Sequence, residues 1–517
     1  RCKRPNGDLQ TVVVDVNGWS FVKGNDAYYD ECAKILKETF FRVASLNSIP
    51  MRIDDQSRGE ASTSWTLQSY ISIFRHADRT PKQKYKETVA LSDESALSKF
   101  IPQGKVMAEL RGVAMIRDFC KTLEEIVPCD QSDGGKLLQV LNKRGGHLGT
   151  KVQLHMKPEK KVTISVKWGG EITHAGRHQA KELGESVRTD LSLLFASTAS
   201  SDTVDDFINT QTTRILSGRE RRVMATATVF AKALLRTAEL PDDYIEYEEV
   251  IPNEADTIEA KQLMDEVKET LRVGEDLDRM AQMLVGFKEL LAKPLPTNGK
   301  WCCSDSPRLF KDRWLRLIDD FLSQYTDRRS NETNRIDPSR VFDIYDSFKY
   351  DMIHHRDYLV RLFCEDKDAL VKLIDCTQLL FDHLSGKQYG DNVDVKLKIA
   401  GLMTKSLLRN ITSNLQSHPV YMIFTKESQL HGLVTVMEHV FKWPQAVGEI
   451  DYLGQVEIEV WQLLSSQDDA QSSHRQQVRV SVRTGAHLQC LSAGFTTAPR
   501  DHVLRVNQKR AIQSDYM

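Results

Sequence analysis

Three times along this chain an apolar run of strand length ends in polar or charged residues and gives way to a helix. Residues 70–74, "YISIF", run into Arg75, His76 and Arg79. Residues 213–218, "TRILSG", run into "ERRVMATATVFAKALL", where Val223, Ala227, Phe230, Ala231 and Leu234 recur at helical spacing. Residues 419–428, "PVYMIFTKES", run into "QLHGLVTVMEHV". Apolar runs of this length, rich in β-branched and aromatic residues, fit strands buried on both faces. Strands alternating with helices predict an α/β fold, a mostly parallel sheet flanked by helices. Ligands of such sheets sit beyond the carboxyl ends of the strands, where all three units carry their polar residues.

With 517 residues the chain exceeds one structural unit. The three units predict a core formed by 65–92, 162–245 and 396–490. Residues 93–161 read as an α+β insert, mixing "KVMAELRGVAMIRDFCKTLEEIV", read as helical, with the strand "KVQLHM". Residues 246–395 read as an α-helical insert, and 491–517 as a tail without a clear period. "GQVEIEVWQLL" and "QQVRVSVRTGAH" alternate like an antiparallel pair. The chain starts at Arg1, and 1–50 read as the end of a preceding domain with its linker.

The net charge is only −2, so any electrostatic signal is local. From Leu141 to Lys181 there are nine Lys or Arg against two Glu. Lys82 and Lys84 follow the first strand, and Arg219, Arg221 and Arg222 the second. Cations gathered at strand ends suit a small, densely anionic ligand. A nucleic acid would want an aromatic stacking platform or a basic recognition helix, and neither is evident. No apolar run reaches membrane-spanning length. Nine cysteines without C-x-x-C pairs argue against a disulfide scaffold and for a cytoplasmic setting.

Arg75-His76-x-x-Arg79 makes the sharpest chemical claim. A histidine nitrogen can attack phosphorus and hold the phosphoryl group covalently. The transferred group spreads charge over three oxygens, so several guanidiniums must converge on it. Arg75 and Arg79 flank His76, and the second unit can supply a third arginine.

"RHADRTP" resembles the R-H-G-x-R-x-P signature of histidine acid phosphatases. Further blocks resemble the phosphatase half of the diphosphoinositol pentakisphosphate kinases, the Vip family: "DVNGWSFVK", "VKWGGEITHAGRHQA", "RRVMATATVFAKALL", "VFDIYDSFKYD" and "FTKES". The resemblance implies a phosphohydrolase that removes the β-phosphate, expected at position 1, from inositol pyrophosphates through a phosphohistidine, releasing inorganic phosphate. It implies His76 as nucleophile, with Arg75, Arg79 and Arg222 as phosphate clamps. Lys82, Lys84, Lys151, Arg177 and Lys426 are the cations expected to touch the substrate's other phosphates. Asp15 and Asn17 match the D-x-N of a linked kinase domain, and no kinase activity is expected of this fragment.

Two departures stand out. Ala77 replaces the signature glycine, a small change where φ is negative. Gln429 stands where the family usually has histidine, with His431 two residues on. A glutamine can hydrogen-bond a phosphoryl oxygen but moves no proton. Either His431 takes over, or the chain is a weakly active sensor of inositol polyphosphates, a regulatory pseudophosphatase. Asp78 and Glu427 are the remaining candidate proton donors. A diphosphate leaves as phosphate, whose second pKa is about 6, so a site poor in general acid favours diphosphates over monoesters.

No cofactor is required, because the arginines neutralise the phosphates. In the helical insert, Cys302, Cys303, His354 and His355 read as reduced cysteines and ordinary helix histidines. A closed structural zinc centre is the alternative.

Overall fold

The computed structural model describes residues 2–3, 9–10, 510–514 and, with interruptions between elements, 64–486; the longest interruptions are 197–206 and 465–475. The chain divides into two compact units, Arg1–Ser62 and Thr63–Met517. In the first, β1 (Cys2–Lys3) pairs antiparallel with β2 (Leu9–Gln10). Asp15 and Asn17 lie outside the described residues.

The second unit begins with β3 (Ser64–Arg75), β4 (Gln83–Ala90), β5 (Met107–Arg111), α1 (Val113–Ile126) and α2 (Ser132–Arg144). There follow β6 (Lys151–Lys157), β7 (Lys161–Trp168), α3 (His174–Ala196), β8 (Thr213–Ser217), α4 (Arg221–Leu234) and β9 (Ile245–Glu246). Seven helices come next: α5 (Glu254–Thr270), α6 (Glu275–Ala292), α7 (Pro307–Ser330), α8 (Ser339–His354), α9 (Arg356–Leu362), α10 (Lys367–Ser385) and α11 (Val393–Asn414). The last elements are β10 (Val420–Thr425), α12 (Glu427–Phe441), β11 (Gln455–Leu464), β12 (Gln476–Arg483) and β13 (Arg510–Ser514).

The main sheet has the order β13-β12-β11-β3-β10-β8-β9. Its centre is parallel, with β10 between β3 and β8, and β9 parallel to β8. The other edge is antiparallel: β11 pairs with β12, as the alternation of the two stretches predicts, and also with β3, and β13 adds a strand from the tail. Every residue of β10 is buried, which explains its unbroken apolar run. On one face Phe74, Phe230 and Phe424 pack with centroids 4.8–5.0 Å apart. On the other, Ile71, Ile73, Tyr421 and Ile423 join Leu430 and Leu433 of α12. The register aligns Arg75 with Thr425, and Phe424 with Ser217, so three strands finish level and release their loops at one edge.

A second sheet, β4-β7-β6-β5, is antiparallel throughout. Strands β4 and β7, read from sequence as part of the core, therefore belong with the α+β insert. Residues 107–111, read as helical, form its edge strand, and the chain turns into α1 through Gly112 at φ 87°. Helices α1 and α2 cover one face through Phe119, Leu123 and Leu137 against Leu110, Val152 and Ile164. The helical insert has its own core around Phe287, Phe310, Trp314 and Phe348.

Candidate active site at the ends of the parallel strands

The loop after β3 is held in a shape that turns His76 inward. Ala77 has no positive φ, so the missing glycine costs nothing here. Its N–H donates to Thr226 Oγ1 of α4 at 3.1 Å. Asp78 is buried and accepts from Thr173 Oγ1, with His354 Nε2 on the same oxygen, each at 2.6 Å. The start of α3 lies against this loop so closely that a Cβ on Gly176 would stand 2.4 Å from the Asp78 carbonyl oxygen. The Gly169–Gly170 turn does the same further out: both have positive φ, and a Cβ on Gly169 would stand 2.1 Å from the Pro81 carbonyl oxygen.

His76 is buried with its two nitrogens in different surroundings. Nδ1 lies 2.9 Å from the Ala77 carbonyl oxygen, a partner that can only accept, so Nδ1 carries the proton. Nε2 accepts from Arg222 Nε–H at 3.0 Å, so its lone pair points into the cationic site. Burial, then the charges of Arg222, Arg75 and Arg79, hold the imidazole well below its ordinary pKa. A neutral imidazole whose Nε2 lone pair faces the guanidiniums, held there by Arg222 until a phosphoryl group displaces that contact, is the form a nucleophile needs.

The flanking arginines are occupied by protein groups. Arg75 donates to the Ile450 carbonyl at 2.5 Å and to Glu427 Oε2 at 2.6 Å. Arg79 makes a two-pronged pair with Asp346, Nη1 to Oδ2 at 2.9 Å and Nη2 to Oδ1 at 3.1 Å. The Tyr452 ring lies 4.5 Å from the Arg75 guanidinium carbon and 6.0 Å from that of Arg79, and its hydroxyl donates to Asp346 Oδ1 at 3.1 Å. Lys82 lies at the mouth. Desolvation, then Arg79 and Arg222, push its ammonium down to about 7 although the side chain reaches the surface.

Helix α8 of the helical insert supplies much of this framework. Asp346 holds Arg79, and one turn on Lys349 pairs with Glu449 at 2.6 Å and Asp451 at 2.7 Å, fixing the loop that carries Ile450 and Tyr452. His354, at the helix end, holds Asp78. Sequence reasoning missed Asp346, Lys349 and Tyr452. The first two lie within "VFDIYDSFKYD", where Asp343, Asp346 and Lys349 recur every three positions, a signal for a polar side on an otherwise buried helix.

The other residues singled out from sequence are dispersed around this centre. Gln429 is buried and accepts from Thr425 Oγ1, within its own turn. His431 lies one turn along α12, 3.8 Å from Glu427, which pairs with Arg75, and stacks with Tyr389 at 5.8 Å. Lys426 pairs with Glu220, just before α4. Arg177 is exposed on the first turn of α3. Lys84 and Lys151 are neighbours of Lys167, which with Arg111 make a row of four cations across the open face of the insert sheet. Glu109, at 2.9 Å from Lys151, partly offsets it.

Cys302, Cys303, His354 and His355 do not gather round one point. The two sulfurs lie 2.9 Å apart, but His354 Nε2 faces Asp78, while His355 takes the Cys302 N–H on Nε2 and Asp351 on Nδ1. Among the described residues, the one group close enough to share an ion is Asp305, Asp351 and His355, and Arg313 already pairs with both carboxylates at 2.7 and 2.6 Å. Among the described residues, no helix is long and apolar enough to cross a membrane.

Comparison with known proteins matches the same region. The Saccharomyces cerevisiae inositol hexakisphosphate and diphosphoinositol-pentakisphosphate kinase is 27% identical over 93% of this chain and 50% of its own length. The second human protein of that name is 26% identical over 93% of this chain and 47% of its own. The chain thus spans about half the length of the curated relatives it matches. Among solved structures, Hafnia alvei phytase in complex with myo-inositol hexakis sulphate aligns with a TM-score of 0.41 at 11% identity, covering 85% of this chain and 88% of that one. The profile of the histidine phosphatase superfamily, branch 2, matches residues 66–483, which include both inserts and every side chain placed around His76. This chain belongs to that superfamily.

Proposed function

We propose that this histidine phosphatase removes the β-phosphate from inositol pyrophosphates, with position 1 as the expected site, through a phosphohistidine on His76. The observation that carries the reading is the neutral imidazole whose Nε2 meets Arg222 at 3.0 Å while Nδ1–H is anchored on Ala77. In the proposed reaction Nε2 attacks the terminal phosphorus and the bond to the bridging oxygen breaks. Arg75, Arg79 and Arg222 carry the equatorial charge. Water then releases inorganic phosphate and restores the histidine. No metal is needed in this scheme.

The placement of Glu427, Asp78 and Gln429, none of them set as a general acid, supports a diphosphate substrate. Glu427 is engaged by Arg75, Asp78 is buried under Thr173 and His354, and Gln429 has no proton to give. A phosphate leaving group departs without one, whereas an alkoxide does not. The names of the curated relatives, which specify inositol hexakisphosphate and diphosphoinositol-pentakisphosphate, support the same substrate class. The row Lys84, Lys167, Lys151 and Arg111, with Lys82 at the mouth, would hold the remaining phosphates. A linked kinase domain, read from Asp15 and Asn17, and a cytoplasmic setting belong to this proposal, and no step of the hydrolysis uses either.

Gln429 favours a second reading, a sensor that binds inositol polyphosphates with little turnover. Hydrolysis of 1-diphosphate, 5-diphosphate and hexakisphosphate, measured side by side with acid-quench trapping of the labelled protein, separates the two. Label on His76 and preference for the 1-diphosphate support the enzyme. Saturable binding without label supports the sensor. Equal rates on hexakisphosphate overturn the leaving-group argument.

A further inference from the structure

On the outer side of the core, α3 and α4 enclose a cavity of about 410 Å³ lined by Lys181, Arg188, Lys232 and Arg236, with Glu185 as its one carboxylate. Four cations against one anion is a steep local excess in a chain of net charge −2. Lys181 and Glu185 stand 3.7 Å apart with both side chains exposed, a weak pair that leaves Glu185 free to swing away. Arg188 is different: it is buried, and its Nη1 donates to the Leu234 carbonyl at 2.7 Å, so its guanidinium is fixed in the wall.

Ordinary helix electrostatics accounts for only half of this cluster. Lys232 and Arg236 stand at the C-terminal end of α4, where the helix dipole favours cations. Lys181 and Arg188 lie inside α3, beyond the reach of either of its ends. Arg236 takes φ 53° in the left-handed turn that ends α4, and it lines the pocket.

We propose that this pocket is a second anion site that takes a small molecule bearing several phosphate groups. The volume lies within the range of small-molecule pockets, and four cations lining one pocket match several phosphates better than one. The site is separate from the catalytic one. Helix α4 has fourteen residues, begins beside Arg222 and ends at the pocket, so the two are about 20 Å apart. The class of ligand rests on the proposed function; the existence of an anion site does not.

Lysine acylation read by mass spectrometry tests this, with inositol hexakisphosphate as probe and inorganic phosphate as the single-phosphate control at matched ionic strength. A His76→Ala chain keeps the probe intact. Saturable protection of Lys181 and Lys232 by at least fivefold is expected, with little from the control. The double variant Lys232→Glu, Arg236→Glu, at half-buried and exposed positions, should remove the protection of Lys181 while leaving that of Lys82. Unchanged acylation of Lys181 and Lys232 overturns the site, whatever happens at Lys82. Protection matched by inorganic phosphate overturns the multiply phosphorylated ligand. Protection of Lys82 and the hydrolysis assay report on the catalytic reading separately.

Discussion

Arg222 donates its Nε–H to Nε2 of His76 across 3.0 Å, linking the start of α4 to the loop after β3. The contact aims a guanidinium at the atom that must attack, leaving its remaining N–H groups for the incoming phosphoryl oxygens. Replacing His76 by alanine should abolish turnover, to below about a thousandth of the parent rate, yet leave binding of a non-hydrolysed analogue within about threefold, since the nucleophile acts only in the chemical step. Single-turnover kinetics and calorimetry measure the two quantities; substantial residual turnover would remove His76 from the role.

The same surroundings set a pH dependence. Burial and three guanidiniums lower the folded pKa of His76 below its unfolded value. The stability that goes with the neutral form is therefore fully present above the unfolded pKa of about 6.5 and is lost progressively as pH falls from there through the lower folded value. An NMR titration of the His76 ring, assigned by its absence in His76→Ala, should show a midpoint below 6.5. A midpoint at or above it contradicts the arrangement.

Lys82 titrates the other way when an anion arrives. At about 7 in the empty site, its ammonium is held down first by desolvation and then by Arg79 and Arg222. A bound phosphate reverses that repulsion and raises the pKa, so binding near pH 7.5 should take up protons. Calorimetry in buffers of differing ionisation enthalpy measures the uptake, and Lys82→Met should reduce it.

Lys349 acts at a distance. It is buried between Glu449 and Asp451, and losing it takes from two buried carboxylates the cation that pairs with both. Lys349→Met should cost about 3–5 kcal/mol of stability and lower kcat more than it raises KM, because the loop carrying Ile450 and Tyr452 no longer fixes Arg75. Denaturant unfolding and steady-state kinetics check both parts; a destabilised variant with unchanged kcat would reduce Lys349 to packing.

Restoring histidine at Gln429 tests the departure on α12. If that position serves the transition state, Gln429→His should raise kcat by about tenfold or more. No gain, together with a large loss from His431→Ala, would assign the role to His431 acting through Glu427.

Much of this arrangement was legible in the sequence because its determinants are local. Apolar runs announced β3, β8 and β10, and the cations after them marked the edge where the loops meet. Periodicity could not say which sheet a strand joins: "KVTISVKW" looks equally at home beside β3 or β6, and only the packing of α1 and α2 decides for β6. Nor could it foresee Asp346 and Tyr452. Their partners Arg79 and each other lie 267 and 106 positions away, and no local pattern encodes a pairing over such a span. The histidines of the helical insert, read as ordinary helix residues with zinc as the alternative, left their partner open for a related reason. Imidazole binds a metal or a carboxylate equally well, and Asp78, 276 positions before His354, claims it.

That span also orders events in time. Arg75 leaves the ribosome 375 residues before Ile450, the carbonyl it finally donates to. At typical synthesis rates the interval is on the order of 20–75 s. Asp346 emerges 267 residues after Arg79, and until then the cluster Arg75–Arg79 lacks it; the 449–452 loop is missing for the whole interval. The reactive centre can close only after α8 has packed, so competence for chemistry is among the last properties the nascent chain acquires, and a chain released early carries its histidine without the means to use it.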